Sequence, residues 1–238
     1  MATQTLLQGE KSAPRTSVFL KFTMATTGAL FVFYVLMHMY GNLKILAGTE
    51  AFDSYAEHLR ELLMPILPYS GFLWLFRALL VLSLVVHVYA ALSLWGRANR
   101  ARPQRYAVKT VASGVRRSPM MRWGGIALLL FLVFHLVQFT IPKVNFNGAF
   151  SAEQIGNSTG QLVIASFQLW WVVLIYVLAM VALGLHLFHG VWSAAQTFGL
   201  TNTARSRTIA HAVAHLTAAV VVIGFLVPPL AILFGIVK

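Results

Sequence analysis

Five segments of this chain are apolar over about 20 residues, the length that a helix needs to cross a lipid bilayer. They are residues 18–40, 71–95, 123–141, 164–192 and 209–237. Backbone groups in hydrocarbon must be satisfied internally, and these segments lack the alternation of barrel strands, so each is expected to be a helix. The sequence therefore predicts an all-α membrane protein with five transmembrane helices. Residues 1–17 are expected to be a tail, and residues 18–238 one membrane domain.

The composition supports this assignment. Only 10% of the 238 residues are charged and 58% are hydrophobic, whereas a soluble domain carries about 25% charged residues. So few charges cannot cover a surface that faces water on all sides. The chain also has no cysteine, which excludes disulfides, thiolate metal sites and cysteine-bound iron–sulfur clusters. Any redox cofactor held here would need histidine or methionine ligands.

The net charge of +12 is explained by topology and not by binding to nucleic acid. The basic residues concentrate in the tail and in the second and fourth connections, whereas the first and third connections hold acidic residues. By the positive-inside rule, the N-terminus is expected to be cytoplasmic and the C-terminus outside, in a multi-pass protein of the cell membrane. The basic connection could also contact acidic lipid or a partner protein. The thirteen basic residues on the cytoplasmic side are Lys11, Arg15, Lys21, Arg97, Arg100, Arg102, Arg105, Lys109, Arg116, Arg117, Arg122, Arg205 and Arg207.

Four of the spans each carry a histidine well inside an apolar run. An ionisable side chain within a membrane helix is unfavourable and normally faces a partner, a cavity or a cofactor. Because successive helices run in opposite directions, the four histidines are expected at two depths. His38 and His135 approach the outer side, and His87 and His186 the inner side.

Two facing histidines from different helices are what bis-imidazole ligation of a haem iron requires. Two such pairs predict two haems b, with His38 and His135 binding one iron and His87 and His186 the other. Zinc would require three or four ligands at one level. A proton relay of histidines usually also uses buried acids, and no Asp or Glu lies inside any span. A relay and ordinary core packing remain the alternatives to haem.

The sequence resembles the single-chain, five-helix, di-haem cytochrome b anchor of succinate:quinone oxidoreductase (complex II) and of the related quinol:fumarate reductases. On the first span, small residues and Gly28 precede His38 by ten positions, and on the fourth the run from His186 to Trp192 is similar to the family's histidine-x3-glycine pattern. The histidine positions and spans cover nearly the whole chain. Each motif alone is weak, so the resemblance depends on their order, spacing and sidedness.

The resemblance implies the same pairing of haem ligands. It also implies two partners, a flavoprotein that oxidises succinate and an iron–sulfur subunit that carries electrons to the cytoplasmic face of this anchor. Quinone, with menaquinone as the expected species, would be reduced in the anchor or at its edge. The chain itself is then the quinone-reactive subunit of succinate dehydrogenase and does not oxidise succinate alone. The complex could form a higher oligomer.

Further site residues are expected around these pairs. His189 is a rival ligand to His186 or a hydrogen-bond donor behind it, and Arg77 would lie near the outer haem, where it could pair with a propionate or extend towards the outer surface. Quinone reduction takes up protons, so a titratable group is needed beside the outer haem. The candidates, in a predicted short interfacial helix, are Glu57, His58 and Glu61.

Two other functions fit the same pattern of histidines. One is the cytochrome b subunit of another respiratory dehydrogenase, such as a hydrogenase or a formate dehydrogenase. The other is a haem-free transporter or proton channel.

Overall fold

The computed structural model describes residues 16–101, 117–141, 143–156 and 158–238. Within these ranges the chain forms helices and no strands. The tail and most of the basic second connection lie outside the described residues. The helices are α1 (Ser17–Leu43), α2 (Thr49–Glu61), α3 (Gly71–Arg100), α4 (Arg117–Phe139), α5 (Ala152–Gly156), α6 (Thr159–Phe167), α7 (Trp170–Thr197) and α8 (Ala204–Leu233), and a 3₁₀ turn at Lys44–Ala47 follows α1.

Five of these helices, α1, α3, α4, α7 and α8, are long and apolar enough to cross a membrane. Their many lipid-facing leucines, valines and phenylalanines are exposed in the isolated chain, as expected for helices whose solvent is hydrocarbon and not water. The prediction of an all-α membrane protein with five spanning helices is confirmed.

The fourth span differs from its predicted bounds. Residues 164–192 were expected to form one helix, but α6 ends at Phe167 and α7 begins at Trp170. Leu169 between them has extended backbone angles. The Asn147 side chain donates hydrogen bonds to the Ala165 carbonyl and to the Gln168 side chain, and these bonds hold the end of α6 against the third connection. The apolar run continues through this break because residues 162–167 of α6 are all buried, so hydropathy does not mark the boundary.

The short helices cover one end of the bundle, which we call the capped end. Helix α2 packs on α6, and α5 packs on α6 in turn. The main hydrophobic core lies at this end, where Ile45, Ile164, Phe167, Tyr176 and further apolar residues of α6, α7 and α8 are buried together. The described acidic residues all belong to the connections at this end, on α2 and α5.

The spanning helices pack unequally. Helix α7 has extensive contacts with α8 and also packs on α1 and α4, and α1 packs on α3 and α8. Close approach of α7 and α8 depends on Gly184, where an added Cβ would lie 2.8 Å from a methyl group of Val222. Among the described residues, the backbones of α3 and α4 rarely approach each other, and Arg122 of α4 bridges them by lying over Trp95 and donating to Asn99. The bundle is therefore packed most closely along α1, α7 and α8.

Candidate functional site

The rings of His38 on α1 and His135 on α4 lie side by side in the half of the bundle nearer the capped end. Their ring centres are 5.8 Å apart and their planes are nearly perpendicular, at 83°. Tyr34 stacks on His38 at 5.4 Å between ring centres, and Phe225 of α8 packs against His38 from another direction. The His38 ring is thus held by aromatic neighbours on two helices.

His87 on α3 and His186 on α7 form a second pair, with ring centres 6.4 Å apart and an angle of 53° between the planes. A glycine lies beside each ring. A Cβ added at Gly28 would be 3.6 Å from Cε1 of His87, and one added at Gly125 would be 3.8 Å from Cε1 of His186. A small side chain would just fit there, whereas a longer one would collide with the imidazole.

Both pairs join helices that otherwise barely touch. In the part of the chain that the structure describes, α1 hardly contacts α4 and α3 hardly contacts α7. The histidines therefore reach across the two diagonals of the four-helix arrangement. A groove of about 260 Å³ between α4 and α7 also leads to His186, and it is lined mostly by apolar side chains such as Leu178 and Val181.

This geometry fits a metal ion held between two imidazoles. With a metal–nitrogen bond of about 2 Å and about 1 Å from the nitrogen to the ring centre, two rings on opposite sides of one ion have centres about 6 Å apart. The observed separations are 5.8 and 6.4 Å. No group of three or more His, Asp or Glu side chains among the described residues could hold a metal ion. A donor set of two imidazoles would suit a bis-histidine haem better than a tetrahedral zinc site, and separations of this size are also those of ordinary contacts between packed rings.

A directed hydrogen-bond chain runs behind His135. The hydroxyl of Tyr176, on α7, donates to Oε1 of Gln138 at 3.0 Å. Nδ1 of His135 lies 2.9 Å from the same oxygen. Tyr176 and Gln138 are both buried, and Gln138 is 0% exposed. The amide nitrogen of Gln138 is buried without a hydrogen-bond partner among the described residues.

The second pair has a similar arrangement behind His87. The Thr27 hydroxyl donates to the Thr23 carbonyl at 2.9 Å, and Nδ1 of His87 lies 3.0 Å from the same hydroxyl oxygen. The Met24 backbone is a further hydrogen-bond partner of the His87 ring. On the opposite ring, Nδ1 of His186 is buried with no hydrogen-bond partner among the described residues. A buried, unsatisfied polar atom is costly, and here it lies in the ring that faces His87.

The two further candidates for cofactor binding, His189 and Arg77, lie at the edges of these pairs. The ring that faces His87 belongs to His186, and His189 is three residues further along α7. Arg77 stacks on Trp74 with 5.1 Å from its guanidinium carbon to the ring centre, and it is close enough to Tyr34 for electrostatic interaction. Tyr34 in turn stacks on His38, and a role of Arg77 beside a haem stays a prediction.

The three quinone candidates all lie on α2 at the capped end. Glu57 accepts hydrogen bonds from the Tyr69 hydroxyl and from Arg60, each at 2.7 Å. The Tyr69 bond, followed by that of Arg60, lowers the pKa of the Glu57 carboxyl below its usual range. A carboxylate held in this way is a poor proton carrier near neutral pH.

Sequence reasoning missed the residues behind the histidines. Gln138 lies one turn after His135, and Tyr176 lies in an apolar run 41 residues after it. Nothing local in the sequence links the two. A tyrosine and a glutamine inside predicted spans are the only signals, because buried polar groups in membrane helices normally have partners.

No family model, no curated protein and no solved structure matches this chain. The structure brings together the two pairs of histidines that were predicted from the depth of each residue in its span. That they bind haem, and that the chain belongs with the complex II anchors, stay predictions.

Proposed function

We propose that this chain is the membrane-anchor cytochrome b subunit of a succinate:quinone oxidoreductase. It would pass electrons from a cytoplasmic iron–sulfur subunit through two bis-histidine haems b to quinone, with menaquinone as the expected species. The observation that carries the proposal is the pair of imidazole contacts across the bundle diagonals, at 5.8 and 6.4 Å. Each helix of the four contributes one ring, and each ring meets one on a helix with which its own helix barely packs.

The chain's contribution to this function is binding and positioning. Haem iron supplies one-electron redox chemistry when bound. In this proposal, the two haem irons would be held by His38 with His135 and by His87 with His186. Tyr176 and Thr27 would accept hydrogen bonds from Nδ1 of His135 and His87. The apolar side chains of the spans, together with the absence of acids in them, keep water and competing charge away from the ligands.

The distribution of charge supports the proposed orientation. The described acids belong to α2 and α5, at the capped end. The other end carries arginines: Arg97 donates to Ser17 at the start of α1, and Arg122 lies over Trp95. By the positive-inside rule, this basic end is cytoplasmic in the cell membrane. It is the face on which we place the iron–sulfur subunit, with the flavoprotein beyond it.

The capped end is then the outer side, where the His38–His135 pair lies. A quinone reduced there needs a proton carrier. Since Glu57 is held as a carboxylate by Tyr69 and Arg60, we assign this role to His58 or Glu61 in preference to Glu57. Arg77, near Tyr34, is the candidate partner for a haem propionate.

The test is a reduced-minus-oxidised absorption spectrum of the purified chain and of single alanine variants at the four histidines. We expect His38→Ala and His135→Ala to lose the same b-type haem, and His87→Ala and His186→Ala to lose the other. His58→Ala, a histidine outside the spans, is the matched control and keeps both haems, as does His189→Ala.

Several outcomes would contradict the proposal. A wild-type chain without a b-type band would favour a haem-free transporter or channel. Loss of a haem in His189→Ala with retention in His186→Ala would overturn the choice of ligand. Co-purification with a hydrogenase or a formate dehydrogenase, and not with a succinate-oxidising flavoprotein, would keep the haems and replace the proposed enzyme.

A further inference from the structure

We infer that Tyr176 and Thr27 are positioning residues that lower the reduction potentials of the two haem sites, each acting through one histidine. The inference rests on the proposed function. It adds a role for two side chains whose hydroxyl oxygens lie at hydrogen-bond distance from Nδ1 of His135 and of His87. Tyr176 serves the His38–His135 pair and Thr27 serves the His87–His186 pair.

Each of these histidines has one ring nitrogen at hydrogen-bond distance from a hydroxyl: Nδ1 of His135 lies 2.9 Å from the Tyr176 oxygen, and Nδ1 of His87 lies 3.0 Å from the Thr27 oxygen. A neutral imidazole that binds a metal through Nε2 carries its proton on Nδ1. In the proposed haem-bound state, these two Nδ1 atoms would therefore donate to Tyr176 and Thr27.

The hydrogen bond at Nδ1 would affect a bound metal through the basicity of the histidine ligand. A hydrogen bond accepted from the non-ligating N–H of an imidazole fixes the ring and makes its other nitrogen more basic. A more basic ligand favours the ferric over the ferrous state, because the ferric iron carries the greater positive charge. Tyr176 is 7% exposed, and its ring packs on Phe131, Phe167 and His135. This bond is therefore shielded from water, and water cannot easily replace it.

The two rings of the inner pair differ. Nδ1 of His87 lies 3.0 Å from the Thr27 hydroxyl, whereas Nδ1 of His186 has no hydrogen-bond partner among the described residues. Control of this site by a side chain at Nδ1 is thus concentrated on His87. The Met24 backbone is a further partner of His87, so Thr27→Val should give a smaller change than Tyr176→Phe.

The experiment is a potentiometric titration of the haem absorption bands in Tyr176→Phe and Thr27→Val, using the full chain with both haems bound. Each substitution keeps the shape of the side chain and removes the acceptor oxygen. Losing one hydrogen bond should raise the ferrous-to-ferric ratio at a fixed ambient potential by about twofold to tenfold, where tenfold is about 59 mV for one electron. Tyr176→Phe should move only the haem lost in His135→Ala, and Thr27→Val only the haem lost in His87→Ala.

Phe134→Leu is the structural control, because Phe134 packs on the Tyr176 ring without bonding a histidine. It should leave both potentials unchanged. Electron paramagnetic resonance of the ferric haems gives a second readout, since a weaker imidazole donor alters the g values of the affected site alone. If Tyr176→Phe does not retain its haem, Thr27→Val tests the same rule at the other pair.

The inference fails if the potentials do not move, if they fall, or if both sites move equally in each variant. It also fails if Phe134→Leu shifts the potential as much as Tyr176→Phe does. A chain that binds no haem would overturn the proposed function itself. A chain with two haems and unmoved potentials would overturn only the role of these two residues.

Discussion

Replacing Asp53 should loosen the capped end of the bundle. The Asp53 carboxylate on α2 accepts a hydrogen bond from the backbone N–H of Gly160 at 2.9 Å and another from the Ser158 hydroxyl. These two residues lie at the N-terminus of α6, where unpaired N–H groups and the helix dipole favour a negative charge. Helix α6 contributes Val163, Ile164 and Phe167 to the main hydrophobic core. Asp53 thus joins a surface helix to the buried one.

The expected size of the effect follows from these contacts. A hydrogen bond to a charged group contributes about 1.5–3 kcal/mol, and leaving a buried N–H unpaired has a cost of similar size. Because Asp53 is partly exposed, we take the lower values and expect Asp53→Ala to lower the free energy of unfolding by about 3 kcal/mol. For a chain of this length, that corresponds to a fall of about 6–12 °C in melting temperature.

The assay is thermal unfolding of the purified chain in detergent, followed by far-ultraviolet circular dichroism. Glu50→Ala is the matched control, because it removes a carboxylate from an exposed position in the first turn of the same helix. We expect this control to change the free energy of unfolding by less than about 1 kcal/mol. Hydrogen exchange at the Gly160 amide should accelerate only in Asp53→Ala. Equal melting temperatures for the two variants would refute the assigned role of Asp53.

Three further predictions concern single contacts. Tyr69→Phe should raise the pKa of the Glu57 carboxyl, measured by infrared titration; in the wild type the Glu57 contacts are present above the usual carboxyl pKa of about 4.3 and are lost as the pH falls through the lower folded value. Gly28→Leu should abolish the haem binding that we propose for the His87–His186 pair, read from the absorption spectrum, because the added side chain would displace the His87 ring, whereas Gly28→Ala should keep it. Gly184→Leu should lower the free energy of unfolding by about 1–3 kcal/mol through overpacking against α8, measured by thermal unfolding, and a variant as stable as the wild type would contradict that packing.

The spans and the histidine partners could be predicted because both depend on simple periodic features of the sequence. Apolar length gives the helices, and the position of each histidine within its run gives its depth. The depth of a histidine in its span does not predict which side chain contacts its Nδ1 atom. Tyr176 reaches His135 across 41 residues, and Thr27 reaches His87 across 60. Such contacts depend on how helices are rotated about their axes, which hydropathy does not encode.

The break after α6 was missed for a related reason. A segment buried among protein side chains and one buried in lipid have similar apolar compositions. The sequence therefore predicted one continuous helix through Phe167 and Trp170. The signal for the break is polar and distant: the Asn147 amide binds the Ala165 carbonyl and the Gln168 side chain at the end of α6. Only the three-dimensional arrangement shows that these groups meet.

The wide spacing of the α3 and α4 backbones affects how these two helices can move. Separating α7 from α8 would break an extensive packed interface, whereas α3 and α4 meet mainly through long side chains. At the basic end, Arg122 of α4 bridges them by lying over Trp95 and donating a hydrogen bond to Asn99. A lateral shift of α3 against α4 would therefore disturb few contacts between backbones, while α1, α7 and α8 remain packed.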